Sequence, residues 1–304
     1  MLDLISLPGR YLDTYGRDKV AEVVGENARI VAMWQKRSKF PLAAVNKLLA
    51  FDPAPLHELK PLYTLPEPGK KLAFLVPLSG KPEPKMLDCF SKLYDKTTMD
   101  FKRVAFNNLS VSRNALAAWG LRGGYPWFWW QDGDAVNQCG DAAWFKLAAE
   151  VPSMPDVFAG LNCIHRALYH KKTIVSTCYV GRSKGAPPQF GGGGTNEMRA
   201  LVKRGPRNEI IERPWAGMGG MLTHRSVFED IIRVMGDEIR VKPGSQVASK
   251  WNYEYAFFHP LDFETCGDDV PFSARALRSG HKTYVDLALQ SGHVGDRCYT
   301  YQDL

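Results

Sequence analysis

The chain has 304 residues, of which 45% are hydrophobic and 23% charged, and its formal net charge is +7. This composition is ordinary for a globular protein, and the length suffices for one large or two smaller domains. No apolar run approaches the roughly 18 residues needed to span a bilayer, and the first residues lack the basic region of a signal peptide. The six cysteines are scattered without a Cys-x-x-Cys pair, which argues against a zinc site or a redox dithiol. These features predict a cytoplasmic protein without membrane contact, located in the host cytoplasm if the protein is viral.

Two N-terminal stretches precede the main pattern. Residues 1–50 carry apolar side chains at helical spacing, which predicts a small helical region. Residues 51–70 contain two proline-rich clusters that bracket a short stretch, which predicts a stiff linker.

Part of the helical region, residues 17–37, resembles a helix-turn-helix DNA-binding unit. Ala21 corresponds to the small residue where the two helices cross, and Gly25 to the turn, where a positive φ is needed. Val31 and Trp34 correspond to the residues that pack the second helix onto the first.

The resemblance implies that the second helix enters the major groove of double-stranded DNA. Polar and basic side chains on it would contact bases and phosphates. The net charge of +7 is compatible with a polyanionic partner. The alternative is a helical packing domain that makes no DNA contact. The residues expected to bind DNA are Asn27, Arg29, Lys36, Arg37 and Lys39.

From Lys71 onward, short apolar runs alternate with segments of helical pattern. This alternation predicts an α/β fold over residues 71–304, with a mostly parallel sheet covered by helices on both faces. Residues 185–194, with four consecutive glycines, are predicted to form a flexible loop. The predicted strands are residues 72–77, 101–106, 125–130 and 282–286, and the predicted helices are residues 85–94, 113–119 and 272–279.

Two carboxylates follow the aromatic strand directly, in the sequence Asp132-Gly133-Asp134. Ligands of open α/β sheets bind at the carboxyl ends of the strands. Two carboxylates in such a place suit a hard divalent cation that also holds phosphate oxygens, which indicates group transfer from an activated donor. Alone, the pair is more typical of acids in an ordinary turn than of a metal site.

Two further polar features lie nearer the C-terminus. Asp268 and Asp269 precede a predicted helix, where acidic residues also serve as simple helix caps. His293 lies near two glycines after the last predicted strand, and as an isolated residue it would be read as structural.

Taken in order, five segments resemble the GT-A fold, a Rossmann-like fold of nucleotide-sugar glycosyltransferases. The resemblance covers about residues 70–300, and agreement of several short motifs carries more weight than any one of them. The five segments are Ser112-Arg113-Asn114-Ala115-Leu116, Trp130-Gln131-Asp132-Gly133-Asp134, Trp215 to Phe228, Gly267-Asp268-Asp269 and Gly292-His293-Val294-Gly295.

The resemblance implies a metal site and a donor site. Asp132 and Asp134 match the Asp-x-Asp motif that holds Mn²⁺ or Mg²⁺ against the donor diphosphate, and Asp132 also belongs to the donor site. His293 matches the histidine that completes the metal site, and an imidazole ligand favours Mn²⁺ over Mg²⁺.

Other positions would contact the donor, which by family analogy is a uridine diphosphate sugar. Arg113 matches a basic position that contacts the nucleotide or diphosphate. Gly217 and Gly219 match a turn that lies against the donor sugar. Where the family commonly has an aspartate that reads the base, this chain offers Asn107 or Asn108.

The resemblance also implies an inverting mechanism. Asp269 would be the general base that takes the proton from the acceptor hydroxyl, with Asp268 as its neighbour. Because the two acids are adjacent, the reverse assignment of these roles stays open.

Three functions follow from these patterns. The first is glycosyl transfer to a hydroxymethylpyrimidine base of DNA, such as occurs in bacteriophages. The second is glycosyl transfer to a polysaccharide, a lipid-linked sugar or a protein. The third is non-catalytic DNA binding by a chain that retains a transferase fold.

Overall fold

The computed structural model describes residues 6–36, 44, 70–78, 80–137, 163–181, 183, 186–203, 209–260, 267–294 and 298–299. The helices in this part of the chain are α1 (Ser6–Val24), α2 (Ala28–Lys36), α3 (Pro84–Leu93), α4 (Leu109–Arg122), α5 (Cys163–Tyr169), α6 (Thr195–Lys203), α7 (Arg225–Ile239), α8 (Gln246–Trp251) and α9 (Asp269–Arg278). The strands are β1 (Leu72–Leu78), β2 (Met99–Ala105), β3 (Trp127–Gln131), β4 (Ala135–Val136), β5 (Ile174–Tyr179), β6 (Ile210–Arg213), β7 (Gly220–His224), β8 (Thr283–Val294) and β9 (Cys298–Tyr299).

These strands form one sheet in the order β2-β1-β3-β7-β5-β8-β4, and β6 and β9 also pair with β8. Strand β1 runs parallel to β2 and β3, and β5 runs parallel to β8. Strand β7 is antiparallel to both of its neighbours, β3 and β5. It follows that β1, β2, β3, β5 and β8 run in one direction and that β7 runs in the other. Strands β4, β6 and β9 are antiparallel to β8, so the sheet is mixed.

The core lies on both faces of this sheet because side chains of a strand point alternately to its two sides. Phe128 and Trp130 pack on one face with residues of α4, α7 and α9. Trp127 and Trp129 pack on the other face with residues of α3 and α5. All five residues of β3 are buried, which explains why its first four residues are all apolar instead of alternating with polar ones.

The predicted α/β class, with helices on both sheet faces, is confirmed in this part of the chain, and the predicted strands and helices occur with shifted ends. Helix α4 begins four residues earlier than predicted, at Leu109, because Asn108 caps it: its side-chain oxygen accepts a hydrogen bond from the Val111 N–H at 3.2 Å. Strand β8 continues to Val294, beyond the predicted end at residue 286.

The glycine-rich segment was predicted to be a flexible loop, but its described residues are attached to the sheet edge. The Gln189 N–H donates to the Tyr179 carbonyl at 2.7 Å, and the Gly217 N–H donates to the Gln189 carbonyl at 2.7 Å. The Gly191 N–H donates to the Trp215 carbonyl at 3.0 Å. Such backbone pairing depends on which segment of the chain lies alongside. The glycine-rich composition of residues 185–194 does not specify that neighbour.

The N-terminal region contains two helices joined by a short turn. Gly25 in that turn has φ 74°, a conformation that glycine adopts without the steric cost of a side chain. Ala21 and Val31 are buried at this junction. The predicted linker, apart from Lys70, lies outside the described residues. None of the helices that the structure describes has the length and apolar character needed to cross a bilayer.

A buried ion network lies in the middle of β8, where the register of its pairing with β5 shifts between Asp286 and Gln290. Asp286 is fully buried and accepts hydrogen bonds from Arg166 Nε at 2.7 Å and from the Ala288 N–H at 2.9 Å. His170 Nε2 lies 2.6 Å from the same carboxylate. Burial alone would raise the pKa of Asp286, but Arg166 and His170 outweigh it and hold the pKa at about 2.

We expect Asp286→Asn to lower the free energy of unfolding at pH 7 by about 3 kcal/mol, because it leaves the buried Arg166 without its counter-charge. The folded-state pKa is below the ordinary 3.8, so this stabilisation is present above that value and is lost as the pH falls towards 2. Urea unfolding of the wild type and of Asp286→Asn from pH 7 down to pH 3 measures the difference in their free energies of unfolding. The control is Asp237→Asn at an exposed position of α7; equal stability of the two variants at pH 7 would contradict the prediction.

Candidate active site

The ends of several parallel strands and the starts of antiparallel strands lie at a single edge of the sheet. Because β1, β3, β5 and β8 run in the same direction, their carboxyl ends lie at this edge, where ligands of α/β sheets bind. Strand β7 runs the other way, so its first residue, Gly220, lies at the same edge. A cleft here is lined by Pro77, Leu78, Gly80, Lys81, Glu83, Leu109, Asp132, Gly133 and Asp134.

Backbone pairing brings Asp134 to His293. The short strand β4 follows Asp134 directly and pairs with β8 so that Ala135 lies opposite His293. The Val294 N–H donates to the Asp134 carbonyl at 2.8 Å. As a result, Asp134 Oδ2 and His293 Nε2 lie 3.3 Å apart, although 159 positions separate the two residues in sequence.

The other ring nitrogen of His293 fixes its tautomer. Nδ1 lies 3.1 Å from the Val180 carbonyl oxygen, which can only accept, so Nδ1 carries the proton and donates. In the neutral ring, Nε2 then presents a lone pair beside the Asp134 carboxylate. A ring nitrogen and a carboxylate oxygen in this arrangement are complementary to a shared cation, and a ligating histidine typically donates its second N–H to such a carbonyl.

The spacing also fits a metal ion bound by this pair. Two ligands at right angles with metal bonds of about 2.1 Å lie about 3 Å apart, close to the 3.3 Å between Asp134 Oδ2 and His293 Nε2. Within the described residues, no group of three or more His, Cys, Asp or Glu side chains is arranged to hold a metal. The predicted three-ligand set of Asp132, Asp134 and His293 is therefore not found among them, and Asp134 and His293 together could supply two ligands.

Asp132 belongs to the same cluster, but its carboxylate faces an arginine. Arg113, which is 3% exposed, donates from Nη2 to Asp132 Oδ1 at 2.7 Å. Its Nη1 contacts Asp268 Oδ1. Burial raises the pKa of the Asp132 carboxyl above its ordinary value, and Arg113 opposes that rise. Arg113 thus joins the two acidic motifs, Asp132–Asp134 and Asp268–Asp269. From the sequence, the two motifs were expected only to lie near the same donor molecule.

The second acidic motif lies at the start of α9, as predicted. Asp268 occupies the N-cap position, yet its side chain makes no capping hydrogen bond and contacts Arg113 instead. Asp269 Oδ1 accepts from the Val270 N–H at 3.0 Å. Burial raises the pKa of the Asp269 carboxyl to about 6, with Asp268 adding to the rise and Arg113 opposing it. A carboxyl group with such a pKa is suited to exchange protons near neutral pH.

The two glycines predicted to face a donor sugar pack against Tyr179. A Cβ atom at Gly217 would lie 2.9 Å from Tyr179 Cδ1, and one at Gly219 would lie 2.7 Å from Tyr179 Cε1 and Cε2. The Tyr179 ring in turn stacks on the His293 ring, with centroids 4.6 Å apart. These glycines therefore provide the space that an aromatic side chain of the site occupies.

A buried amide that sequence reasoning missed ties the site together. The Asn137 Nδ2 group donates to Gln131 Oε1 at 2.6 Å and to the Gly219 carbonyl at 2.7 Å. Its Oδ1 accepts from the Ser291 hydroxyl. Asn137 thereby links β3, the start of β7 and β8. The available signal was a pair of polar residues, Gln131 and Asn137, on either side of the acidic motif.

The remaining predicted residues have other surroundings or contacts. Asn107 is exposed in the turn before α4, next to the capping Asn108. In the N-terminal helices, Asn27 Oδ1 accepts from the Ile30 N–H at 3.0 Å and so caps α2, while Arg29 and Lys36 are exposed on that helix. Arg37 and Lys39 lie outside the described residues.

Comparisons with known proteins were made by sequence and by structure. No family model matches the sequence, and no curated protein matches it. Among solved structures, the chain is similar to the crystal structure of A197 from STIV, with 14% sequence identity and a TM-score of 0.42. The similarity covers 77% of this chain and 92% of that chain. Function is therefore argued from the geometry of the site.

We expect Arg113→Met to lower the free energy of unfolding at pH 7 by about 3 kcal/mol, because it leaves Asp132 and Asp268 buried without their counter-charge. Adding Asp268→Asn should restore part of that loss, because one of the two charges is then gone. Chemical unfolding of the single and double variants measures the coupling. The matched control is Arg103→Met at an exposed position of β2; a cost no larger than that of the control would refute the bridging role.

Proposed function

We propose that this chain is a metal-dependent, inverting glycosyltransferase of the GT-A type, with its active site at the carboxyl edge of the sheet. The observation that carries the proposal is the 3.3 Å approach of Asp134 to His293 beside the cluster of Arg113, Asp132, Asp268 and Asp269. Four aspartates and one arginine leave this edge negatively charged. A diphosphate is also negatively charged, so its binding here requires an added cation.

Asp134 and His293 are the residues that would hold this cation, in keeping with a Mn²⁺ or Mg²⁺ site. When bound, the ion supplies a Lewis acid that offsets the charge building on the departing diphosphate. Asp132 holds Arg113 beside it, and the Arg113 guanidinium reduces the repulsion between the acidic cluster and the donor. The imidazole ligand favours Mn²⁺.

Asp269 is the proposed general base. The acceptor hydroxyl oxygen forms a bond to the anomeric carbon of the sugar while the bond from that carbon to the diphosphate breaks. The hydroxyl proton passes to the Asp269 carboxylate, and the nucleoside diphosphate leaves with the bonding electron pair. Attack from the side opposite the leaving group inverts the anomeric configuration. Burial of Asp269 supports this role because it makes the carboxylate a stronger base.

The proposed acceptor is a hydroxymethylpyrimidine in double-stranded DNA, and the proposed donor is a uridine diphosphate sugar. Ordinary DNA bases offer no such hydroxyl. In this proposal the target base leaves the stack to reach the sugar. The observation in favour of DNA is the exposed face of α2. Arg29, Met33 and Lys36 are exposed at i, i+4 and i+7 of this helix, while Val31 is fully buried against α1.

The test of the reaction is transfer of label from a radiolabelled uridine diphosphate sugar to hydroxymethylpyrimidine DNA in the presence of Mn²⁺. We expect Asp269→Asn to lower kcat/KM by about 10³-fold, because a positioned base contributes roughly 10² to 10⁴ in rate. Asp237→Asn is the control. If label enters a polysaccharide or protein but not DNA, the proposed DNA acceptor is wrong. If no donor is transferred and none is hydrolysed, the chain is better explained as a non-catalytic protein.

The pH dependence of the same reaction gives a second readout. A base whose pKa is about 6 must be deprotonated to act, so kcat/KM should rise with pH through that value and level off above it. At pH 5 the rate should be about a tenth of the plateau. A profile that is flat between pH 5 and 8 would argue against Asp269 as the base.

DNA binding by α2 is tested separately from the chemistry. We expect Arg29→Ala combined with Lys36→Ala to weaken binding to duplex DNA, because Arg29 would contact a base and Lys36 a phosphate. The slope of log affinity against log salt should fall by about one, since a lost phosphate contact removes about one. Titration of fluorescent duplex DNA at several salt concentrations measures this. The control, Lys203→Ala on α6, should leave the slope nearly unchanged. If the α2 double variant and the α6 control change DNA binding equally, the binding reflects nonspecific attraction of DNA to the basic chain.

A further inference from the structure

We infer that Tyr179 is a positioning residue for the metal site, because its ring holds the His293 imidazole in the orientation that presents Nε2 to Asp134. The inference rests on the proposed function in one respect, that Asp134 and His293 bind the metal. It adds a residue that the acidic and glycine motifs did not single out.

Two consecutive residues at the end of β5 hold the His293 ring from different sides. The Tyr179 ring stacks on the imidazole with centroids 4.6 Å apart and an angle of 23° between the planes. The next residue, Val180, accepts the Nδ1–H through its carbonyl oxygen at 3.1 Å. The stack limits tilting of the ring, and the hydrogen bond limits rotation within the ring plane. Together they leave Nε2 at 3.3 Å from Asp134 Oδ2.

Tyr179 is itself held in place. It is 4% exposed, and Gly217 and Gly219 line its ring so closely that a Cβ atom at either position would overlap it. Its carbonyl accepts from the Gln189 N–H at 2.7 Å, and the Gly217 N–H donates to the Gln189 carbonyl at 2.7 Å. The two glycines therefore act on His293 through Tyr179, which gives them a role that does not require contact with a sugar.

A histidine that is already oriented loses less conformational freedom when it binds a metal. Groups that orient a ligating histidine typically change metal affinity by about 10- to 100-fold when they are removed. We therefore expect the ring of Tyr179, rather than its hydroxyl, to set the affinity for Mn²⁺.

Titration of the full chain with Mn²⁺ alone, followed by electron paramagnetic resonance of the free ion, tests this. Tyr179→Phe keeps the aromatic ring and should bind Mn²⁺ within about twofold of the wild type, while Tyr179→Leu should bind about 10- to 100-fold more weakly. Asp134→Asn serves as the reference for loss of a ligand. Thermal unfolding of each variant checks that it is folded.

A double-mutant cycle separates positioning of His293 from general damage. Gly219→Ala places a methyl group against the Tyr179 ring and should weaken Mn²⁺ binding about as much as Tyr179→Leu. The combined variant lacks the Tyr179 ring, so the methyl group of Gly219→Ala has no ring to displace. Its Mn²⁺ binding should therefore be no weaker than that of Tyr179→Leu alone. If Tyr179→Leu proves unstable, Gly219→Ala in the chain that keeps Tyr179 provides the test by itself.

The outcomes distinguish this inference from the proposed function. Wild-type affinity in Tyr179→Leu, or additive losses in the cycle, would overturn the positioning role and leave the metal site standing. Absence of Mn²⁺ binding by the wild type, or its full retention in Asp134→Asn, would overturn the metal site and the inference with it.

Discussion

The pairing of β4 with β8 is the constraint on which the rest of the site depends. Only two residues long, β4 begins directly after Asp134, and its pairing places Ala135 opposite His293. Because side chains alternate along a strand, a shift of this register by one residue would turn His293 away from Asp134. Backbone hydrogen bonds thus set the distance between two side chains that come from distant parts of the sequence.

Charge balance is the second constraint. Asp132 and Asp268 are nearly buried and share the guanidinium of Arg113, since burial of an isolated carboxylate is costly. This sharing attaches the start of α9 to the end of β3 and so places Asp269 near the diphosphate site proposed here. A single arginine cannot neutralise four aspartates, so the proposed diphosphate would need an added cation in order to bind beside them.

Much of the fold could be predicted because its signals are local. The apolar runs of β1 and β3 identify buried strands, and Asp132 follows one of them directly, so its place at the sheet edge follows from parallel topology. The contacts of Tyr179, Val180 and Asn137 could not be predicted, because they depend on which strands become neighbours and in which register. Gly217 and Gly219 were recognised as positions that exclude a side chain, but the sequence gives no indication that Tyr179 fills the space.

The most direct measurement is a crystal structure of the protein soaked with Mn²⁺ and uridine diphosphate, with anomalous scattering used to locate the manganese. The account predicts one anomalous peak within bonding distance of both Asp134 Oδ2 and His293 Nε2, in contact with the diphosphate. A peak elsewhere, or a diphosphate bound at another edge of the sheet, would contradict it.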